Sequence, residues 1–463
     1  MKYSAMIVYL CTIKVQTELI DLATYVEREK YIYCGTDATA YFVRETRKAT
    51  WFTQVPVVLS RASGNPGFDT EWSVSISRAG DYLLATWLRL TTPEVKANLE
   101  NDMLRIRWTR NLMHNIIREA CITFNDLVAA RFDNYHLDFW TAFTVPAGKR
   151  TGYNNMIGNF SELTDPHAPV AGVATIPAFT LNLPLPFFYS RDSGVALPTA
   201  ALPYNDMRIN FSFRRWQDLL IVDDLALLPD AGNGKFSRCP TGDEVPGPLE
   251  LKDVQVWANY AIVSNDERKR MACAPRDILI EQVQTAPRQT FSPATQPRPQ
   301  YDIRFSHAIK VFFFGARNKS VPCQWSNYTC ATPIPGPATV DFGSELAADP
   351  IQQTSLIYEN TNRLSQMGSD YFSLVNAWYH APVIPLETGY HMYSYSLDFI
   401  CLDPMGSTNY GKLTNVSIVP EASICAIDQA NNVNFPQSFE FVTTAVNNNI
   451  IRISGGALGF PVL

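Results

Sequence analysis

Residues 181–213 read LNLPLPFFYSRDSGVALPTAALPYNDMRINFSF. The apolar run is broken by Pro184 and Pro186 and closes on Phe187, Phe188 and Tyr189. Ser190-Arg191-Asp192-Ser193-Gly194 is a polar turn, in which Gly194 can take the positive φ that side chains resist. Val195 to Pro198 and Ala200 to Pro203 each end in proline, which disfavours a long helix or a central ladder. From Arg208 the chain alternates. Ile209, Phe211 and Phe213 take one face; Arg208, Asn210, Ser212 and Arg214 take the other. The stretch reads as strand, turn, proline-braced corner and strand, the closing edge of a β-sandwich.

Outward from it, other segments carry the same period. Trp72, Val74 and Ile76 alternate with serines, and Tyr82 to Leu90 is apolar on nearly both faces, as a strand buried in a sandwich would be. Ile116 to Asn125 alternates, with Arg118 intruding on its apolar face. Val311 to Phe314 is a buried aromatic strand, and Tyr393 to Phe399 alternates again. A short helix is expected over Ile20 to Tyr33. Thr144 to Thr180, rich in proline and glycine, reads as a long loop, as do Val321 to Pro350 and Leu402 to Pro436. Leu219 to Glu250 is the best linker. The predicted organisation is an N-terminal extension (1–16), a first sandwich (17–218), a linker (219–250) and a second sandwich (251–463). The halves share a weak echo. Asn125, Tyr135 and Trp140 correspond to Asn360, Tyr371 and Trp378 at offsets of 235, 236 and 238.

Composition narrows the function classes. The 463 residues are 46% hydrophobic, 12% aromatic and only 18% charged. That is below the usual ~25% charged and suggests surface that ends against other protein. The net charge is −6, with basic residues scattered in short groups rather than gathered into an arm. Direct nucleic-acid binding is therefore disfavoured, because phosphate neutralisation supplies that affinity. Nine irregularly spaced cysteines are no secreted disulfide framework, and a reducing cytoplasm is the simpler setting. Cys323 and Cys330 are the nearest candidates for pairing. No apolar run reaches the ~18 residues of a membrane helix.

Catalytic, cofactor and metal-binding motifs are absent, so no site residue is assigned to any of these roles. His136 lies near Asp133 and Asp138 but reads as a surface turn; His380 and His391 flank a proline loop without an acidic cluster. Asp223 and Asp224 read as solvated, and Gly455 to Gly459 as a terminal turn. Five glycosylation sequons are read as chance matches in an asparagine-rich chain.

FFYSRDSGVALPTAALPYND resembles the signature of the major capsid proteins of large icosahedral double-stranded DNA viruses, the iridoviruses above all, with the ascoviruses near. IDLATY (from Ile20), WFTQVP (Trp51), SRAGDYLL (Ser77), RFSHAIK (Arg304), GSTNYGKLTN (Gly406) and NNNIIRISGGALGFPVL (Asn447) resemble further blocks of that family, in order. Met1 to Gln16 departs from it and reads as a poorly ordered extension, an inner-surface anchor or a targeting signal. The resemblance implies an all-β fold of two tandem jelly rolls with long loops and few short helices. It implies a structural protein, not an enzyme, that homotrimerises into pseudo-hexagonal capsomers tiling an icosahedral shell. Minor capsid proteins would be partners, and an internal membrane an indirect neighbour. A carbohydrate-binding or receptor-attachment jelly roll is the alternative, in which Trp325, Tyr328, Trp378 and Tyr379 would stack on sugars.

Overall fold

The computed structural model describes residues 30–33, 35–99, 102–224, 226, 237–273, 275–330, 349–433 and 436–460. The chain divides into two units, Met1–Trp51 and Phe52–Leu463. In the first, one helical turn, α1 (Lys30–Tyr33), precedes turns and extended chain. The extension expected at 1–16, and most of the helix expected from Ile20, lie outside the described residues.

The second unit repeats one design twice. Its first half runs β1 (Phe52–Val58), β2 (Ser60–Ser63), β3 (Glu71–Ser75), β4 (Tyr82–Thr91), β5 (Val95–Asn98), β6 (Leu104–Trp108), β7 (Ile117–Phe124), β8 (Leu127–Phe132), β9 (Val173–Ile176), β10 (Thr180–Pro184), β11 (Met207–Phe213), β12 (Leu220–Asp224), β13 (Ser237–Arg238) and β14 (Lys252–Val263). The principal sheets are β1-β14-β4-β10 and β2-β3-β11-β7-β8. The second half adds β15 (Arg276–Thr285), β16 (Gln289–Phe291), β17 (Tyr301–Asp302), β18 (Ala308–Asn318), β19 (Ile351–Tyr358), β20 (Thr361–Gly368), β21 (His391–Ser394), β22 (Thr408–Asn409), β23 (Val416–Ala422), β24 (Phe439–Ser454) and β25 (Ala457–Gly459). Its sheets are β15-β24-β18-β21 and β17-β23-β19-β20. Each half is a jelly roll. The last long strand, β14 or β24, lies between the first and third main strands of its half.

Helices sit between strands: α2 (Leu112–Ile116), α3 (Asn134–Thr144), α4 (Ala147–Ile157), α5 (Ser161–Thr164), α6 (Asn265–Cys273), α7 (Asn376–His380) and α8 (Ile424–Ala430). A π-helical turn, Tyr371–Val375, runs directly into α7. The duplication is clearest at one hairpin. Asn125 and Asp126 turn β7 into β8 with φ of 49° and 65°; Glu359 and Asn360 turn β19 into β20 with 47° and 62°. Two consecutive positive φ values suit the right-handed twist of a two-residue hairpin. The turns are offset by 359 − 125 = 234, and a helix follows each.

The structure corrects several sequence expectations. β11 does alternate, with Ile209, Phe211 and Phe213 buried, but it pairs with β3 and β7 on its two sides and is a central strand. The prolines that suggested an edge lie ahead of it, Pro198 capping a 3-10 turn (Thr199–Ala201) and Pro203 in the turn that follows. Gly194 is not at positive φ; it opens a short turn whose Asp192 carboxylate accepts its N–H at 3.2 Å. Arg118 does not intrude on a core. A bulge opposite Ser212 and Phe213 turns it outward. The 144–180 loop contains α4 and α5, which the missing apolar stripe concealed: of α4 only Ile157 is fully buried. Gly158, at φ 81°, ends α4.

The boundary correction matters most. Lys252–Val263 does not begin the second roll. It pairs with β4 and β1 and so completes the first. The proline- and glycine-rich 219–250 stretch is an excursion before that strand. It includes β12 and β13, which pair with each other and, through β12, with β6. The crossover between rolls follows β14 and carries α6.

Candidate functional site

The structurally distinctive region is the seam between the two rolls, built around α3. The Asp133 carboxylate caps this helix by accepting the His136 N–H at 2.9 Å. Tyr135, Leu137, Phe139, Trp140 and Phe143 are all buried, as is His136. The helix meets Phe313 of β18. Phe139 stacks on it with centroids 6.2 Å apart, Phe143 at 5.5 Å, and Trp140 meets it edge-on at 6.4 Å. Phe312 and Phe314, pointing the other way, fill the second roll's own core. A three-phenylalanine run is therefore buried on both faces, one inside its roll and one in the seam. Aromatic pairs of this kind add ~0.5–1.5 kcal/mol each beyond area burial.

Charged groups lock the seam where the apolar contact ends. Arg191, from the polar turn of the opening stretch, reaches the Glu281 carboxylate of β15 at 3.2 Å. It also donates to the Ile400 carbonyl at 2.8 Å, and its guanidinium lies 4.5 Å from the Trp140 ring centre. Glu281 accepts a second cation, the fully buried Lys310 of β18, at 2.6 Å. Lys310 donates further to the Cys401 carbonyl at 2.7 Å. Burial pushes the Arg191 guanidinium down from its ordinary pKa, with the Glu281 carboxylate opposing. Two cations sharing one carboxylate in a desolvated place hold only while every partner stays in position.

Trp325, from the second half, is clamped between guanidiniums. Arg214 lies 3.7 Å from its ring centre and Arg317 lies 3.5 Å from it. Two groups that close cannot share a face without overlapping, so they cover opposite faces. The indole N–H donates to the Asp218 carbonyl at 2.8 Å. Arg214 and Asp218 belong to the first roll's half, Arg317 to β18.

A third cluster centres on Asp138 of α3. Its carboxylate accepts from His114 Nδ1 (2.7 Å), Asn111 Nδ2 (3.3 Å), Ser326 Oγ (2.7 Å) and the Tyr328 hydroxyl (3.2 Å). Four donors, two from each half of the chain, offset the cost of burying that charge. Arg110 pairs with Glu387 beside it.

Two groupings of side chains resemble catalytic relays, and their surroundings argue against that use. Tyr153, His114 and Asp138 line up through both ring nitrogens of His114. However, burial and the Asp138 charge push the Tyr153 phenol well above its ordinary range, so it is no activated nucleophile. Ser369 and Asp349 both meet the same nitrogen of His391, Nε2, at 2.5 and 2.9 Å, while Nδ1 has no hydrogen-bond partner among the described residues. In a working triad the carboxylate orients the ring through the opposite nitrogen. Among the described residues no group of three or more His, Cys, Asp or Glu converges as a metal site.

The residues singled out in the sequence divide sharply. His136 is not in a surface turn; it lies wholly inside the fold, where burial and the nearby Arg191 push it down to about 3. Asp223 is not solvated; it is buried, 2.6 Å from Arg107 and 2.5 Å from Ser237, while Asp224 points away. His391 does have an acid, Asp349, distant in sequence. Cys330 approaches Cys425 at 2.6 Å rather than Cys323. Gly455 and Gly456 form the β24–β25 turn at positive φ. Trp325 and Tyr328 are buried, whereas Trp378 and Tyr379 are 72% and 73% exposed. The seam itself was missed. Its one readable signal was Val311 to Phe314, apolar on both faces of a strand.

Comparison with known proteins agrees with this architecture. Residues 267–459 match the family described as large eukaryotic DNA virus major capsid protein, and residues 40–263 match the major capsid protein N-terminus. The chain is 63% identical to the major capsid protein of Costelytra zealandica iridescent virus, over 96% of this chain and 97% of that one. It is 64% identical to that of Wiseana iridescent virus, over 94% and 91%. Among solved structures, the PBCV-1 virus capsid superposes with a TM-score of 0.71 at 18% identity, covering 92% of this chain and all of that one. The two matched families divide at 263/267, where the sheets divide.

Proposed function

The chain belongs to the major capsid protein family of large eukaryotic DNA viruses, with the iridovirus proteins, and forms the virion's capsid shell; from that premise we propose that three copies associate into a pseudo-hexagonal capsomer. The observation that carries this reading is the duplication. Two rolls of one topology, packed together through a seam, let three chains present six similar rolls around a threefold axis. Such a contact is heterologous and closes as a ring. Obligate interfaces of this kind bury ~2,000–5,000 Å².

The role is structural rather than enzymatic, as the relay geometries support. Neighbouring capsomers and minor capsid proteins are the partners expected beyond the trimer. Contact with an inner membrane is indirect, and genome contact is disfavoured by the net charge of −6. The sugar-binding alternative keeps only Trp378 and Tyr379 of its four aromatics, since Trp325 and Tyr328 are enclosed. Light-scattering mass on the purified protein tests the main reading. One chain is 52.0 kDa, so the capsomer should weigh 3 × 52.0 = 156 kDa and appear as a hexagonal block in negative stain. A stable, well-folded 52.0 kDa species would overturn it.

A further inference from the structure

α7 occupies in the second roll the place α3 occupies in the first, after the equivalent hairpin. Aligned on their exits, the offsets are 375 − 139 = 236, 378 − 142 = 236 and 379 − 143 = 236. Phe139, Ala142 and Phe143 are buried in the seam. Their counterparts Val375, Trp378 and Tyr379 are 43%, 72% and 73% exposed. Spaced at i, i+3 and i+4, these three form one stripe of the helical segment. The His380 ring donates to the Leu397 carbonyl at 3.0 Å, which sets Leu397, itself 69% exposed, beside the end of the helix. Scattered apolar side chains on a surface are ordinary. A Trp–Tyr stripe continued by a leucine is the composition of a contact centre.

The receiving surface also has a counterpart. Within the chain, α3 lands on the outward face of sheet β15-β24-β18-β21, at Phe313, which pairs with Met392 of β21 and Thr444 of β24. In sheet β1-β14-β4-β10 the matching position is Trp87 of β4, paired with Pro184 of β10 and Trp257 of β14. Leu88, Leu90, Val256 and Ala258 point into the core, so Trp87 and Trp257 point outward. They stack with centroids 6.1 Å apart and planes within 10°, half-buried, with no α3-like helix over them among the described residues. The expectation that Tyr82 to Leu90 is buried on both faces thus met a strand buried on one side and partly covered on the other, with Arg89 exposed.

We propose that the α7 stripe of one copy docks on the Trp87–Trp257 face of the next, repeating between chains the contact α3 makes within one. Each chain then offers one helix stripe and one sheet face that its described residues leave at least partly uncovered. Three such contacts alternate with three internal seams and close a ring of six rolls. The inference rests on the trimer reading and adds the surfaces that make it.

The test begins with the unmodified protein. A mass of 52.0 kDa there fails the trimer reading before any variant is made. Given a 156 kDa species, the double variants Trp378→Ala/Tyr379→Ala and Trp87→Ala/Trp257→Ala should each raise the dissociation constant ~30-fold or more. Circular dichroism should show both variants still folded. A second arm needs no truncation: a photoreactive benzoylphenylalanine at position 378 should cross-link, between chains, to the peptides bearing Trp87 or Trp257. Folded variants that stay trimeric, or a cross-link to any other surface, would overturn the assignment while leaving the trimer standing.

Discussion

α3 and α7 follow the same hairpin in two copies of one jelly roll, and both are aromatic: NYHLDFWTAFT against NAWYH. One is enclosed on almost every side; the other exposes its Trp and Tyr. Local sequence does not decide between these outcomes. The neighbour does. α3 is covered because the second roll is tethered beside it at high effective concentration, whereas among the described residues no such roll lies over the Trp378 and Tyr379 side of α7. The comparison also separates two kinds of apolar surface, one satisfied by the fold and one left for association. Around α3 the chain adds Arg191, Arg214, Arg317 and Asp138 to fix the angle between rolls. α7 has no such charged clamp among the described residues: the His380 ring donates to the Leu397 carbonyl and the Asn376 amide oxygen accepts the Ser394 N–H at 3.1 Å.

If the α3 seam is fixed by charge as well as packing, Glu281→Gln should do the most damage. It leaves Lys310 and Arg191 buried without their shared anion and should cost about 5 kcal/mol in urea unfolding. Adding Lys310→Met should recover a large part of that loss; a double variant as unstable as the single would mean the pair is not the cause. Phe313→Ala removes the ring on which three α3 side chains rest and should cost about 3–4 kcal/mol. Trp378→Ala, on the exposed stripe of α7, should leave the unfolding free energy of the monomer within about 0.5 kcal/mol. Equal losses at both positions would erase the distinction between the helices.

His136 gives the enclosed helix a pH signature. Its ring is held neutral down to about 3 by burial, while the unfolded chain takes up that proton near pH 6.5. Between those values the unfolded state binds more protons. Stability from this group is therefore complete above pH ~6.5 and falls as the pH drops toward about 3, by about 2–4 kcal/mol over the window. His136→Gln should flatten the slope of unfolding free energy against pH in that range, and an unchanged slope would assign acid sensitivity elsewhere. The smallest effects concern the shared turn. Asp126→Gly and Asn360→Gly, at the second positive-φ position of each hairpin, should each stabilise by up to about 0.5 kcal/mol. Opposite signs in differential scanning would argue that the hairpins are not equivalent.

The fold was legible where side chains alternate or where blocks resemble a family: β11, β3 and the aromatic core of β18 could all be read from the chain. The boundary between rolls was not. Proline and glycine mark any surface excursion, and nothing local shows that Lys252–Val263 turns back to pair with β1 and β4. The seam was less legible still. Arg191 meets Glu281 across 90 residues and Arg214 meets Trp325 across 111, and short-range patterns do not encode such pairings. Arg191 stood in the opening stretch and looked like an ordinary turn residue. α4 was missed because most of its side chains face away from the core.

The late arrival of β14 has a consequence for how the protein is made. β1 pairs with no other principal strand, and its partner Val263 follows Phe52 by 263 − 52 = 211 residues. At ~5–20 residues per second, the ribosome needs roughly 10–40 s to deliver it. Throughout that interval each nascent chain carries an unzipped first sheet with an open, adhesive edge, close to other copies emerging from the same message. Pro56, which has no amide hydrogen to donate, interrupts that edge while it waits. The yield of intact shells then depends on translation speed and on the spacing of ribosomes, as well as on the strength of any finished contact.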